Sequence, residues 1–350
     1  MTGTSCDALD IAIVQCSGEG EQLESQCQSF HSFPLGELGQ EFRSFSEGKA
    51  LTAKEICKLN HNFGDFHIKS LKSLEQTFDL ISLHGQTVYH APPLSWQMLN
   101  LSQIAGAMMT PIIGDLRGLD LALGGQGAPI TPLADLHFYG SMTENRAVVN
   151  LGGFCNITIL PQGKKREHVQ GYDLCAANQL LDKLAQHHLD IPLDTDGAMA
   201  ASGRPITERV QHWLNWLKSQ YQTGRSLGQN NWPPLGKVLK TKDAHNELAS
   251  ACLALALNLT EHWNSKHLER ILYAGGGWNH RHLFQLIDEH SRIPIAPCDP
   301  YGPSSQAREA AAIAHLGALC WDQQAITLPQ VTDLPQQTIS FTSGLRIDPR

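Results

Sequence analysis

Six apolar runs of strand length, interspersed with longer stretches of helical spacing, restrict this chain to folds that alternate strand and helix. The runs are "LDIAIVQC" (9–16), "FDLISLHG" (78–85), "TPIIGDL" (110–116), "RAVVNLGG" (146–153), "NITILP" (156–161) and "RILYAGGG" (270–277). Between them, "NELASACLALALNLTEHWNSK" (246–266) carries an unbroken apolar face, and "RPITERVQHWLNWLKS" (204–219) has Pro205 where a helix would open. Such alternation is the signature of an α/β protein. The segment "TGRSLGQNNWPPLG" (223–236) lacks periodicity, is dense in Gly, Asn and Pro, and reads as a loop.

Several of these strands end in glycine, small hydroxyl residues and an acid, and open α/β sheets bind ligands at the carboxyl ends of their strands. In "GTSCDALD" (3–10), Gly3 exposes backbone amides, Thr4 and Ser5 add hydroxyls, and Asp7 and Asp10 add acids ahead of a strand. That composition suits phosphate held by N–H groups, with an acid reaching Mg²⁺ through water; it suits a plain β-turn equally. "NLGGFCN" (150–156) repeats the logic, since Gly152 and Gly153 allow close approach of backbone to phosphate. "AGGGWN" (274–279) removes side chains that would block a flat nucleoside, or else marks close packing of helix on strand. Neither GxxxxGK[ST] nor GxGxxG ahead of a suitable helix is present, which disfavours Walker-type and Rossmann sites.

Composition removes other classes. A formal net charge of −8 over 350 residues, with no basic tract, argues against nucleic acid or an anionic membrane as partner. Nine cysteines without CxxC spacing fit a reduced cytoplasmic protein better than a disulfide framework. No apolar stretch reaches the length of a membrane span and no signal peptide is visible. His84 and His90 flank "GQTVY" without the spacing of a metal site, so hydrogen bonding to a ligand or within the core is their expected role. Cys155 and Cys175 sit in small-residue turns, but no histidine can be paired with either as a nucleophile's base. In "GDLRGLD" (114–120), Asp115 and Arg117 share a face if the strand continues, as sugar recognition needs; a surface ion pair is the plainer reading. Asp173, in "GYDLCAANQLLD" (171–182), ends what reads as a strand and is either a catalytic base or a turn acid that starts a helix.

Taken in order, "MTGTSCDALDIAI", "HGQTVYHAP", "GDLRGLDLALGGQGAPITPL", "NLGGFCNITIL", "GYDLCAANQLLD", "DTDGAMAASG", "RSLGQNNW", "YAGGGWNHRHL", "REAAAIAHLG" and "LPQVT" resemble the motifs of the anhydro-N-acetylmuramic acid kinases, from residue 1 to about 332. The resemblance implies an actin-like, ribonuclease H-like ATPase fold: an α/β domain over residues 1–120, joined by 330–350, and a second over 121–329, around a central cleft. It implies an ATP- and Mg²⁺-dependent cytoplasmic kinase that phosphorylates O6 of the anhydro sugar while water opens the ring, a step of peptidoglycan recycling. A homodimer is likewise implied. Gly3, Thr4, Ser5, Cys6, Asp7, Ala8, Leu9 and Asp10 would form the first phosphate loop, with Asp7 toward Mg²⁺. Gly152 and Gly153 would form the second, Gly275, Gly276 and Gly277 the adenosine side, and Glu309 would lie near the nucleotide. Asp173 corresponds to the general base, and His84, Gln86, Asp115, Arg117 and Asn178 make up the substrate-binding set.

The chain also departs from the family pattern. It begins at the Met of the phosphate loop, where the family has a strand ahead, so the first strand of the first domain is expected to be absent. Ala8 replaces a glycine, "LCAAN" (174–178) replaces a more glycine-rich turn, and Gln229-Asn230 replaces an Arg-Glu pair. "MLNLSQIA" (98–105) is read as a sugar-side strand. The competing readings are a degenerate member that binds nucleotide or sugar without turnover, and an actin-like ATPase working on protein partners.

Overall fold

Strands form where the apolar runs were read, and they distribute between two units in the computed structural model, which describes residues 1–3, 5–221, 227, 243–334 and 344–349. Residues 1–138 with 302–350 make unit 1, and 139–301 make unit 2. Along unit 1 run Ala8–Ser17 (β1), Glu24–Pro34 (β2), Glu37–Ser46 (α1), Ala53–Lys72 (α2), Ile81–Ser82 (β3), Gln86–Ala91 (β4) and Leu94–Met98 (β5). Leu101–Met108 (α3), Ile112–Gly114 (β6), Gly118–Ala122 (α4) and Pro132–Tyr139 (α5) follow.

Unit 2 contains Arg146–Leu151 (β7), Phe154–Leu160 (β8), Gln170–Ala176 (β9), Asn178–Leu189 (α6), Ala198–Ser202 (α7), Thr207–Gln220 (α8) and Ala244–Asn264 (α9). It closes with Arg270–Ala274 (β10), Arg281–His290 (α10) and Ile295–Pro297 (β11). The chain then returns to unit 1 as Arg308–Trp321 (α11), Pro329–Thr332 (α12) and Leu345–Ile347 (β12).

Unit 2 is built on one sheet in the order β11-β10-β7-β8-β9. The first three strands in sequence form an antiparallel meander, and β10 and β11 add in parallel beside β7. That is the ribonuclease H-like strand order, so the expected α/β architecture is present. The unbroken apolar face of "NELASACLALAL" is explained by α9, whose Leu248, Cys252, Leu255 and Leu259 join Trp213 of α8 and Leu180 of α6 in a single core. Helix α8 starts at Thr207, two residues after Pro205, because the Ile206 amide is taken by Ser250 Oγ at 2.9 Å.

Unit 1 has smaller sheets: the ribbon β1–β2, the sheet β12-β6-β3, and the hairpin β4–β5. Phe42 of α1 and Phe63 of α2 meet edge to face under Leu9 of β1, forming its main core. Helix α2 opens on a capping box in which Thr52 and Glu55 satisfy each other's amides. The sugar-side strand read at 98–105 is instead the end of β5 and the start of α3, because Asn100 Oδ1 accepts the Gln103 amide at 3.3 Å and caps a helix there. The compact units divide at 138/139 and 301/302, both inside the 121–329 segment read from the sequence as the second domain. Long-range bonds place these segments in unit 1: Asp120 Oδ1 accepts Thr332 Oγ1 at 2.9 Å, and buried Asp135 holds Arg308 by two hydrogen bonds.

Candidate functional site

In unit 2, β7 and β10 lie parallel and end together, so the glycines that follow them meet. Gly152 and Gly153 turn β7 into β8, and their carbonyls accept amides from the start of α6: Asn178 N–H to Gly152 O at 3.1 Å and Ala177 N–H to Gly153 O at 2.8 Å. Gly275 (φ +91°) and Gly277 pack against the same corner. A Cβ on Gly275 would lie 2.6 Å from Asn150 Oδ1 and Leu151 O, and one on Gly277 2.6 Å from Asn178 Oδ1. Close packing therefore demands these two glycines. Gly276 differs, since a Cβ there meets nothing within 4 Å, and Gly152 has only ordinary contacts. The backbone is thus open at Gly152 and Gly276, and Gly152 lies beside the N-terminus of α6.

Asp173 lies within β9, three residues before its end, and "LCA" continues the strand. Asn156 pairs with Asp173 while Cys155 pairs with Cys175, leaving Leu174 as an extra residue in a β-bulge. Bulges re-aim side chains, and here Leu174 and Cys175 are both buried while Asp173 stays half-buried. Asp173 Oδ2 accepts the Leu227 amide at 2.7 Å. Four residues separate Asp173 from Asn178, where α6 starts, and Ala177 holds the cap position, so Asp173 is not that helix's cap. The thiols nearby are no nucleophiles: Cys155 and Cys175 are fully buried, and burial pushes Cys175 up to about 12 and Cys155 well above its ordinary value.

In unit 1 the structure brings His84, Gln86 and Arg117 together. His84 Nδ1–H donates to Gly85 O at 2.9 Å, leaving Nε2 to accept from Arg117 Nε at 3.1 Å. Burial first, then the Arg117 charge, holds His84 down to about 3, so the ring is neutral. Arg117 Nη1 reaches Gly127 O at 2.5 Å, and Gly127 N–H donates to Asp120 Oδ2 at 2.7 Å. Gln86 Nε2 donates to Gly3 O at 3.2 Å. Among the described residues, two polar atoms of this cluster are buried with no partner, Gln86 Oε1 and His90 Nε2, and burial followed by the Arg117 charge lowers His90 to about 4. Asp115 does not share a strand face with Arg117. β6 stops at Gly114, Asp115 turns to φ +53°, and its carboxylate accepts the Gly118 amide at 3.0 Å at the start of α4.

The family model for anhydro-N-acetylmuramic acid kinase matches residues 1–341. This chain belongs to the anhydro-N-acetylmuramic acid kinase family. It is 28% identical to the anhydro-N-acetylmuramic acid kinase of Salinibacter ruber (97% of this chain, 93% of that one). It is 30% identical to that of Prochlorococcus marinus strain MIT 9303 (100% and 98%), and 32% identical to that of Parasynechococcus marenigrum (90% of each). Among solved structures, the ROK hexokinase of Thermus thermophilus overlaps 88% of this chain and 97% of its own, at 10% identity and a TM-score of 0.39. The chain is a kinase, and no helix among the described residues is long and apolar enough to cross a membrane.

Of residues 3–10, read from the sequence as the first phosphate loop, Ala8, Leu9 and Asp10 belong to β1 and Leu9 is a core side chain. Thr4 and Gln229-Asn230 lie outside the described residues. Ser5 is exposed, Cys6 is buried at φ +55°, and Asp7 is paired with Arg43 at 3.0 Å. Asp10 Oδ1 accepts from Ser32 at 2.6 Å. No group of three or more His, Cys, Asp or Glu among the described residues is arranged to hold a metal. Glu309 occupies the first turn of α11 close enough to stabilise the charged form of the Met1 amine, whereas Asn178 belongs to the glycine corner of unit 2. In "DTDGAMAASG", Asp194 accepts the Met199 and Ala200 amides in the first turn of α7, both at 2.9 Å. Sequence reasoning named His90 beside His84 as a hydrogen-bonding residue but left it out of the substrate-binding set, and it missed Arg43 altogether.

Proposed function

We propose that this kinase uses ATP to convert 1,6-anhydro-N-acetylmuramic acid to N-acetylmuramic acid 6-phosphate, as a cytoplasmic step of peptidoglycan recycling. In this reading water attacks the anomeric carbon as its bond to O6 breaks, and Asp173 takes the proton. O6 accepts the γ-phosphoryl group, and the β–γ bond breaks to release ADP. The observation that carries the reading is Asp173 itself, a half-buried acid between buried neighbours, set by a bulge and held through one oxygen by the Leu227 amide. Leu227 fixes the carboxylate's direction, and positioning rather than basicity is then its main contribution.

The open backbone at Gly152 and Gly276 fits a nucleotide, and the unpartnered Gln86 Oε1 and His90 Nε2 fit the hydroxyl and amide groups of an N-acetylated sugar. Mg²⁺, carried on the phosphates with most of its waters, would neutralise developing charge. One carboxylate suffices for such an ion, and Asp7 would serve through water, since its exposed pair with Arg43 is worth only about 0–1 kcal/mol. The test is ADP release measured with and without 1,6-anhydro-N-acetylmuramic acid, with the product identified by ³¹P NMR. Sugar-dependent ADP release with a new phosphomonoester supports the reading; ADP release indifferent to the sugar overturns it.

A further inference from the structure

Helix α8 ends on Gln220, and the stripe Trp213, Leu217 and Gln220 is buried along one side of it. Spacing of four and then three puts these side chains on one face, so a glutamine stands where the helix pattern calls for an apolar residue. A buried amide is costly unless it is hydrogen-bonded, and Gln220 Oε1 accepts the Ala176 amide at 2.7 Å. The helix that presents it is itself fastened, since Trp213 Nε1–H donates to Oε1 of buried Glu247 on α9 at 2.6 Å.

The amide that Gln220 takes belongs to β9, the edge strand of the unit 2 sheet among the described residues. Strand β8 ladders one side of β9, and the extra residue Leu174 interrupts that ladder between Asp173 and Cys175. A bulged edge strand has a competing arrangement, a slip by one residue, which sends side chains to the opposite face. For Asp173 such a slip would turn the carboxylate to the other side of the sheet. Contacts from outside the sheet therefore have to select the register, and three of them bracket Leu174. Before it, Tyr172 meets Tyr221 edge to face with ring centroids 5.3 Å apart, and its hydroxyl is hydrogen-bonded to His262 Nε2 at 2.8 Å. At the acid, Leu227 N–H donates to Asp173 Oδ2. After it, Gln220 holds the amide of fully buried Ala176. Of the three, the Gln220 bond is the one made to the backbone of β9, so it acts on register directly.

We propose that Gln220 is a positioning residue for Asp173: by accepting the Ala176 amide it keeps β9 in its bulged register and so keeps the Asp173 carboxylate where the Leu227 amide meets it. The catalytic consequence rests on the proposed role of Asp173 as base; the structural one does not. Gln220 acts on rate through β9 and touches neither substrate.

Gln220→Met and Gln220→Glu in the full chain provide the test. Methionine keeps the length of the side chain but has only a weakly accepting thioether, whereas glutamate keeps a strong acceptor. Gln220→Met should speed amide exchange about tenfold or more at Ala176 and equally at Leu227, which does not bond residue 220. It should lower kcat about tenfold or more, with KM for ATP and for the sugar within about twofold of the parent. In a chain already carrying Asp173→Asn it should lower kcat no further, because its effect passes through that carboxylate. Gln220→Glu should restore slow exchange at both amides and most of kcat. Gln220→Asn, which draws the acceptor back by one methylene, takes the place of Gln220→Met if that variant does not fold. Faster exchange at Ala176 alone would overturn the proposal, since the bond would then only satisfy a local amide. So would a parental kcat in Gln220→Met, or an equal fold loss with and without Asp173→Asn. A parent that releases no sugar-dependent ADP would count against the kinase reading, and exchange at Leu227 would then decide the positioning by itself.

Discussion

Arg117 Nε donates to His84 Nε2 at 3.1 Å, and this one bond fixes the charge, tautomer and orientation of a buried histidine. Protonated His84 would face Arg117 with a second positive charge, so the folded chain keeps the ring neutral. The sign follows: His84 is lowered from 6.5 to about 3, so the stability it contributes is present above pH 6.5 and lost as pH falls toward 3. Heteronuclear NMR should find the Nδ1–H tautomer of His84 neutral at pH 5. Arg117→Lys keeps charge but loses the fork that reaches both His84 and Gly127 O, and should cost about 1–3 kcal/mol. A variant as stable as the parent in urea would show that the fork is not what holds these groups.

The buried pair of Asp135 and Arg308 gives a second prediction. Both side chains are almost completely inaccessible, and the guanidinium uses Nε and Nη2 on the two carboxylate oxygens. Asp135→Asn should destabilise by about 3–5 kcal/mol, because it leaves the Arg308 charge buried and uncompensated. The double variant Asp135→Leu with Arg308→Met removes both charges and should recover most of that loss. Urea midpoints at constant m-value provide the check; a double variant no better than the single would mean the pair itself is strongly stabilising.

Asp182 of α6 supplies a pH test of opposite sign. Burial raises its carboxyl from 3.8 to about 6. Its contribution to stability is therefore complete below pH 3.8 and lost as pH rises through about 6. Asp182→Asn should match the parent near pH 3.5 and melt at a higher temperature at pH 7.5. Melting curves displaced equally at both pH values would contradict this.

The alternation of strands and helices and the glycine turns that follow β7 and β10 were legible because they depend on local periodicity and on backbone freedom. What was not legible depends on partners far along the chain. "GDLRGLD" looked like one recognition face, yet β6 stops at Gly114, so Asp115 starts α4 while Arg117 turns to His84, 33 residues earlier. "MLNLSQIA" has strand-like composition, and a single cap at Asn100 makes it helical. Leu174 reads as part of a turn until pairing with β8 shows it to be a bulge inside β9. Arg308, beside the Glu309 that the motif highlighted, pairs with Asp135 across 173 residues, a relationship no spacing rule reports.

The glycine run separates packing from ligand approach. Gly275→Ala places a Cβ 2.6 Å from Leu151 O at φ +91° and should cost about 2–3 kcal/mol in stability. Gly276→Ala meets nothing within 4 Å and should leave the fold within about 1 kcal/mol of the parent. Under the proposed function its methyl would stand in the nucleotide's path, so KM for ATP should rise about tenfold or more with Tm unchanged. If Gly276→Ala keeps the parental KM, the nucleoside does not lie against residue 276.

Asp173→Asn tests the proposed base at the atom that matters. The amide is isosteric and can still accept the Leu227 N–H through its oxygen, so β9 and its bulge should persist and Tm should change by less than about 2 °C. An amide takes no proton from water, and loss of a general base typically costs about 10²–10⁴ in rate. The fall should appear in kcat, with KM for the sugar and for ATP little changed, because in this reading Asp173 touches the attacking water and neither substrate's binding groups. Asp173→Glu keeps a carboxylate but moves it by a methylene, so it should retain more activity than the amide and less than the parent. Near-parental kcat in Asp173→Asn would remove Asp173 as the base while leaving sugar-dependent ADP release intact, and a rise in KM at constant kcat would make it a sugar-binding residue instead.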